Sequence, residues 1–201
     1  MLRGCAAAIR SGISRLTVRP CDVEAAVRTF PGAHIGSVVD APYGFSTTPS
    51  KLYAAREVLR RGAKEIETPI NFGKLASRQF QYLEAELLQM TQACREFGAV
   101  LKVSVPPAGL TDELKMLTCR ILRRAECDFL SIPSLESIDL WKTHARDRLR
   151  IKLAAPTSSL DAVLAALAQG CERVEAADPA AIGREWTDRA SAQPSGQTSQ
   201  T

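Results

Sequence analysis

The stretch "LRIKLAA", residues 149–155, places Lys152 inside a run that is otherwise apolar from Ile151 to Ala155. A short apolar run of this kind, flanked by segments of helical period, reads as a parallel strand covered on both faces. An ammonium in such a strand must be paired, lie at an open strand end, or give up its charge. Lys152 therefore marks the fold and is a candidate site residue as well.

Working outward, similar runs recur as "SRLTVRP" (14–20), "AHIGSVVDAP" (33–42), "KEIETPIN" (64–71), "AVLKVSVP" (99–106), "CDFLSIPS" (127–134) and "CERVEAA" (171–177). Between them the period becomes helical. In 77–97, Phe80, Leu83, Leu87, Met90, Cys94 and Phe97 fall on one stripe, and the pattern repeats in Leu114, Leu117, Ile121 and Ala125 and in Leu160, Val163, Leu164 and Leu167. Gly62, Gly98 and Gly170 stand where helices close before the next strand. Seven β units joined by helices predict an α/β fold with right-handed crossovers, one unit short of a closed eight-stranded barrel. Residues 1–188 are read as one incomplete barrel domain, and 189–201 as a disordered polar tail.

Composition narrows the function. The net charge of +4 comes with basic residues scattered among acids and no basic stripe interleaved with aromatics, which argues against nucleic-acid binding. Six cysteines without a CxxC, and only His34 and His144 beside them, supply neither zinc-site nor disulfide spacing; they read as buried thiols. No apolar run reaches the roughly 18 residues of a membrane span. The N-terminal segment, with Arg3, Arg10, Arg15 and Arg19 and no acid before Asp22, reads either as an organelle presequence or as a first structural helix.

The strand ends carry an ordered series: "APYGFST" (41–47), "KEIETPINFGKL" (64–75), "LKV" (101–103) followed by "GLTDE" (109–113), "CDFLSIPS" and "RIKLAA". In this series the chain resembles the deoxyribose-phosphate aldolase family from about residue 4 to 177. The resemblance implies a (β/α)8 TIM barrel, cleavage of 2-deoxyribose 5-phosphate through a lysine Schiff base, no cofactor, and a place in deoxyribonucleotide catabolism. It lays "GCAAAIRSGISRLTVRP" over the family's first helix and second strand, with Thr17 where a cysteine is usual, so the chain is expected to lack the first β-strand of the barrel.

Class I aldol cleavage needs a neutral amine, whereas a free lysine, with a pKa of about 10.4, is mostly ammonium. In the family a lysine on the sixth barrel strand forms the imine, one on the seventh lowers its pKa, and an aspartate on the fourth relays protons. The resemblance places Lys152 at the seventh-strand position, Lys102 at the retained fifth-strand lysine and Glu67 at the aspartate, while Ser131 replaces the Schiff-base lysine. Asn71 and Thr17 are the candidate substrate contacts. The family's Ser-Gly-Gly phosphate turn reads Ala154-Ala155-Pro156, and its Gly-Thr-Ser-Ser-Gly element reads Glu175-Ala176-Ala177-Asp178-Pro179.

Lys152 is thus either an inward lysine paired with Glu67 and Asp40, or a relocated Schiff-base amine of low nucleophilicity. Ser131 lacks a histidine base, Cys127 reads as a buried thiol, and Tyr43 and Phe45 either cover a remodelled pocket or simply pack. The leading expectation is a pseudoenzyme that keeps the aldolase scaffold and acts as a subunit or binding scaffold, in a homo-oligomer or with a protein partner, in the cytoplasm. One alternative is an active aldolase or lyase that uses Lys152 on a small phosphorylated sugar or related carbonyl compound. The other is a subunit of a mitochondrial complex.

Overall fold

The computed structural model describes residues 1–107 and 109–192. Seven strands, β1 (Arg15–Val18), β2 (His34–Val38), β3 (Glu65–Pro69), β4 (Val100–Ser104), β5 (Phe129–Ile132), β6 (Arg150–Thr157) and β7 (Arg173–Ala176), form one sheet in sequence order. Every neighbouring pair is parallel. Each strand falls inside one of the seven stretches expected to be extended, except that β6 continues through Pro156 to Thr157. Among the described residues no pairing joins β1 to β7, so the barrel-type sheet is open on the side where a first strand would stand.

Helices α1 (Leu2–Arg10), α2 (Val23–Thr29), α3 (Thr48–Arg60), α4 (Phe72–Ala76), α5 (Phe80–Glu96), α6 (Asp112–Arg124), α7 (Ile138–Ala145), α8 (Leu160–Ala168) and α9 (Pro179–Ala192) cover the sheet. Parallel strands require these crossovers, and the sheet's outward residues bury against them. Ile66, Leu101, Val103, Leu130 and Ile132 have no exposed surface. The α5 stripe is the largest helical contribution, with Leu83 and Met90 fully buried. Thr111 caps α6 by accepting from the Leu114 amide, and Ser159 caps α8 by accepting from that of Ala162. Gly62, Gly98 and Gly170 take φ of 101°, 62° and 96°, the left-handed turn that ends a helix before the next strand.

The segment 77–97 is not one helix from its start. Arg78 takes φ 57° and the Ser77 hydroxyl turns back onto the Gly73 carbonyl, which ends α4 before α5 begins at Phe80. The N-terminal segment forms α1, buries Cys5 and Ala8, and packs on α9. It therefore belongs to the fold. Helix α9 takes in residues 189–192 of the expected tail; 193–201 lie outside the described residues.

Between α3 and α5 lies an ion pair that sequence reading does not reveal. Lys51, 2% exposed, places Nζ 2.7 Å from Glu86, which also accepts from the Thr48 hydroxyl. Asp40, expected beside Lys152, instead stands 3.6 Å from Lys51 and accepts from the amide and hydroxyl of Ser46. This group anchors loop 40–47, in which Gly44 approaches the Pro69 carbonyl so closely that a Cβ would sit 2.5 Å from it. Removing one partner of a buried pair leaves an uncompensated charge. Lys51→Met should cost about 3 kcal/mol in urea unfolding, and adding Glu86→Leu should recover part of that loss.

Candidate functional site

Side chains alternate along a strand, so residues two apart share one face. Glu65 and Glu67 on β3 therefore both point into the barrel, toward Lys102 on β4, Ser131 on β5, Lys152 on β6 and Arg173 on β7. The structure brings the predicted residues Glu67, Lys102, Ser131 and Lys152 together. Lys152 Nζ donates to Glu67 at 2.7 Å and lies 3.2 Å from Glu175; Lys102 Nζ lies 3.4 Å from Glu67 and donates to Glu65 at 3.0 Å. Lys102, Glu65, Glu67 and Lys152 are all buried. Of the partners proposed for Lys152, Glu67 is present; the second is Glu175 and not Asp40.

Glu65 is the residue that reading by family position passed over. It gathers Arg15 from β1 at 2.5 Å, Lys102 at 3.0 Å and Arg173 at 2.9 Å, so that three cations share one carboxylate. The available signal was its i, i+2 spacing from Glu67. The Phe129 ring lies against both Arg150 and Arg173, each guanidinium 4.0 Å from its centre. Gly36 on β2 makes room, because a Cβ there would come within 3.1 Å of that of Glu65.

Burial on its own would raise the carboxyl of Glu67, but Lys152 and Lys102 outweigh it and hold the group below its ordinary value. The Ser131 hydroxyl adds to this by proximity, although it makes no well-formed hydrogen bond. Burial likewise opposes the charge on Glu65, and Lys102, Arg173 and Arg15 together hold it low.

A cavity of about 1140 Å³ opens over this row, lined by Thr17, Glu67, Lys102 and Lys152 among others. Asn71 does not line it; its side chain caps α4 by accepting from the Lys74 amide. Where the resemblance places the first phosphate turn, β6 continues as strand through Pro156, which has no amide hydrogen. At the second element, Asp178 accepts from the Ala181 amide and fills the start of α9 with the chain's own carboxylate.

Burial pushes the thiols of Cys94, Cys119 and Cys127 up to about 12, which leaves them protonated and unreactive. Cys21 alone is exposed, contrary to the expectation for all six. His34 begins β2 and His144 lies in α7, neither beside Ser131. Tyr43 and Phe45 stack with centroids 5.6 Å apart and are largely exposed. Among the described residues no group of three His, Cys, Asp or Glu is placed to hold a metal, and no helix is long and apolar enough to cross a membrane.

The depressed carboxyls fix a pH dependence. Their contribution to stability is complete above the unfolded carboxyl value of 4.5 and is lost as pH falls through their lower folded values. Glu67→Gln should cost about 2 kcal/mol at neutral pH and flatten the acid limb of stability below 4.5, as read from urea midpoints across pH.

No protein-family model matches the chain. The deoxyribose-phosphate aldolase of Treponema denticola is 28% identical over 192 residues, which cover 90% of this chain and 89% of that protein. The enzyme of the same name from Ureaplasma urealyticum is 30% identical over 180 residues, covering 85% and 83%. Among solved structures, the aldolase QR15 superposes with a TM-score of 0.84 at 24% identity, covering 90% of this chain and 85% of that one. The tetrameric deoxyribose phosphate aldolase of Aeropyrum pernix gives 0.78 at 17%, covering 89% and 79%. The order of the sequence motifs, the run of parallel strands and these relatives agree, and the chain belongs to the deoxyribose-phosphate aldolase family.

Proposed function

We propose that this chain keeps the aldolase scaffold without the family's Schiff-base chemistry and acts as a subunit or binding scaffold. The observation that carries the reading is the environment of the amines. At the position implied for the imine-forming lysine stands Ser131, whose hydroxyl cannot form an imine. The amine beside it, Lys152, contacts two carboxylates, Glu67 at 2.7 Å and Glu175 at 3.2 Å. To attack a carbonyl it must give up both contacts and a proton, leaving Glu67 buried with less compensation.

The phosphate end supports the same reading. A phosphate dianion placed by the family's two backbone turns would meet a proline in one and the carboxylates of Glu175 and Asp178 at the other, a repulsive arrangement. A protein partner fits the open sheet, because an unpaired strand edge favours association. The tetrameric relative is a precedent for assembly on this fold.

Incubation with 2-deoxyribose 5-phosphate and cyanoborohydride should leave the Lys152 peptide no more modified than that of the exposed Lys64 and release no triose phosphate above background. A reduced adduct on the Lys152 peptide in excess of that level would establish the active-aldolase reading instead. Ser131→Lys places an amine on β5 opposite Lys152 in register and should give a reduced adduct on the peptide carrying position 131 in excess of that on exposed lysines.

A further inference from the structure

The strands flanking the opening face the cavity differently from the rest. β3, β4 and β6 line it with alternate residues, Glu65, Glu67 and Pro69, then Lys102 and Ser104, then Lys152 and Ala154. That is the pattern of a sheet face. β1 and β7 line it with consecutive residues, 15–17 and 173–176, so they present their backbone edges. Their strand partners lie on the other side only, β2 for β1 and β6 for β7, and among the described residues no other backbone hydrogen bond reaches the slot-facing edges. Two parallel edges facing one gap satisfy the hydrogen-bonding demand of an inserted strand.

The two sides of the gap differ in chemistry. Outward, α1, α8 and α9 form an apolar wall that includes Ala8, Val163, Leu167, Ile182 and Trp186. Leu167 and Trp186 are 43% and 58% exposed. Inward, Arg15 and Arg173 lean on Glu65, a carboxylate already shared with Lys102, and the Arg15 side chain is 49% exposed. The site therefore favours a strand with apolar residues on its outer face and a carboxylate on its inner one.

We infer that the slot between β1 and β7 is a docking site for an extended segment of a partner polypeptide, about five residues long, whose apolar residues face α8 and α9 and whose acidic residue faces Arg15 and Arg173. This rests on the reading of the chain as a partner-binding subunit. It adds the conformation and charge pattern of what is bound. Insertion completes both hydrogen-bond ladders, covers the exposed leucine and tryptophan, and supplies the second carboxylate that the arginine pair lacks.

Two fluorescein-labelled seven-residue peptides, alternating valine with polar residues and differing only in aspartate or lysine at the central inward position, test this on the full chain. The aspartate peptide should bind saturably and the lysine peptide at least tenfold more weakly. Bound aspartate peptide should slow amide exchange in Arg15–Val18 and Arg173–Ala176. Leu167→Lys, at an exposed position, should weaken binding at least tenfold without moving the urea midpoint, and Arg15→Gln should narrow the gap between the two peptides. Absence of binding, equal binding of both peptides, or protection of these strands by concentration-dependent dimerisation alone would overturn the inference. Imine trapping at Lys152 would sink the subunit reading separately, because it leaves the peptide result unchanged.

Discussion

The contact between Glu67 and Lys152, 2.7 Å apart inside the barrel, is the constraint around which the interior is arranged. Neither charge is tolerable alone at this depth, since each would forgo its hydration without a partner. Strand alternation then makes the problem collective. Placing Glu67 inward also places Glu65 inward, and Glu65 requires its own cations, which β1, β4 and β7 provide through Arg15, Lys102 and Arg173. The result is a chain of charge contacts that crosses the sheet from strand to strand, with Lys102 linking the two carboxylates.

That chain also ties the two sides of the opening together. Arg15 and Arg173 belong to the edge strands, yet both reach Glu65 near the middle of the sheet. On the outside, α1 and α9 meet and pass over the same gap. Ionic contacts within and helix packing without thus hold β1 and β7 in a fixed relation although no backbone ladder joins them. A gap held in this way is preorganised, and preorganisation lowers the entropic cost of ordering whatever fills it.

Much of the fold was legible because it depends on period. Six of the seven strands lie within the runs picked out by apolar content, β6 overruns its own by two residues, and glycines mark three of the helix ends. The break between α4 and α5 was not legible, because it turns on a left-handed Arg78 and a serine hydroxyl bond, with no glycine or proline to signal it. In the site, Glu67, Lys102, Ser131 and Lys152 were found through motif order. The second partner of Lys152 was misassigned because Asp40, just past β2, and Glu175, within β7, both stand near strand ends, and only tertiary geometry sends Asp40 to Lys51 and Glu175 to Lys152. Lys51 and Glu86, 35 positions apart in the chain, join two different helices, a relation no helical period contains.

On the proposed reading, the substitutions shift unmet demand from the centre of the barrel to its edge. An imine-forming centre needs an amine kept neutral by a nearby cation, which is an unsatisfied arrangement that substrate completes. Here Ser131 removes the reactive amine, and Glu67 with Glu175 neutralises the one beside it, so the centre is satisfied without a ligand. The slot-facing backbone of β1 and β7, the exposed Leu167 and Trp186, and a pair of arginines sharing one carboxylate with Lys102 remain incompletely satisfied. These groups all border the same gap. Binding is strongest where satisfaction is deferred until the partner arrives, and in this chain that condition is met at the strand edges and not at the lysines.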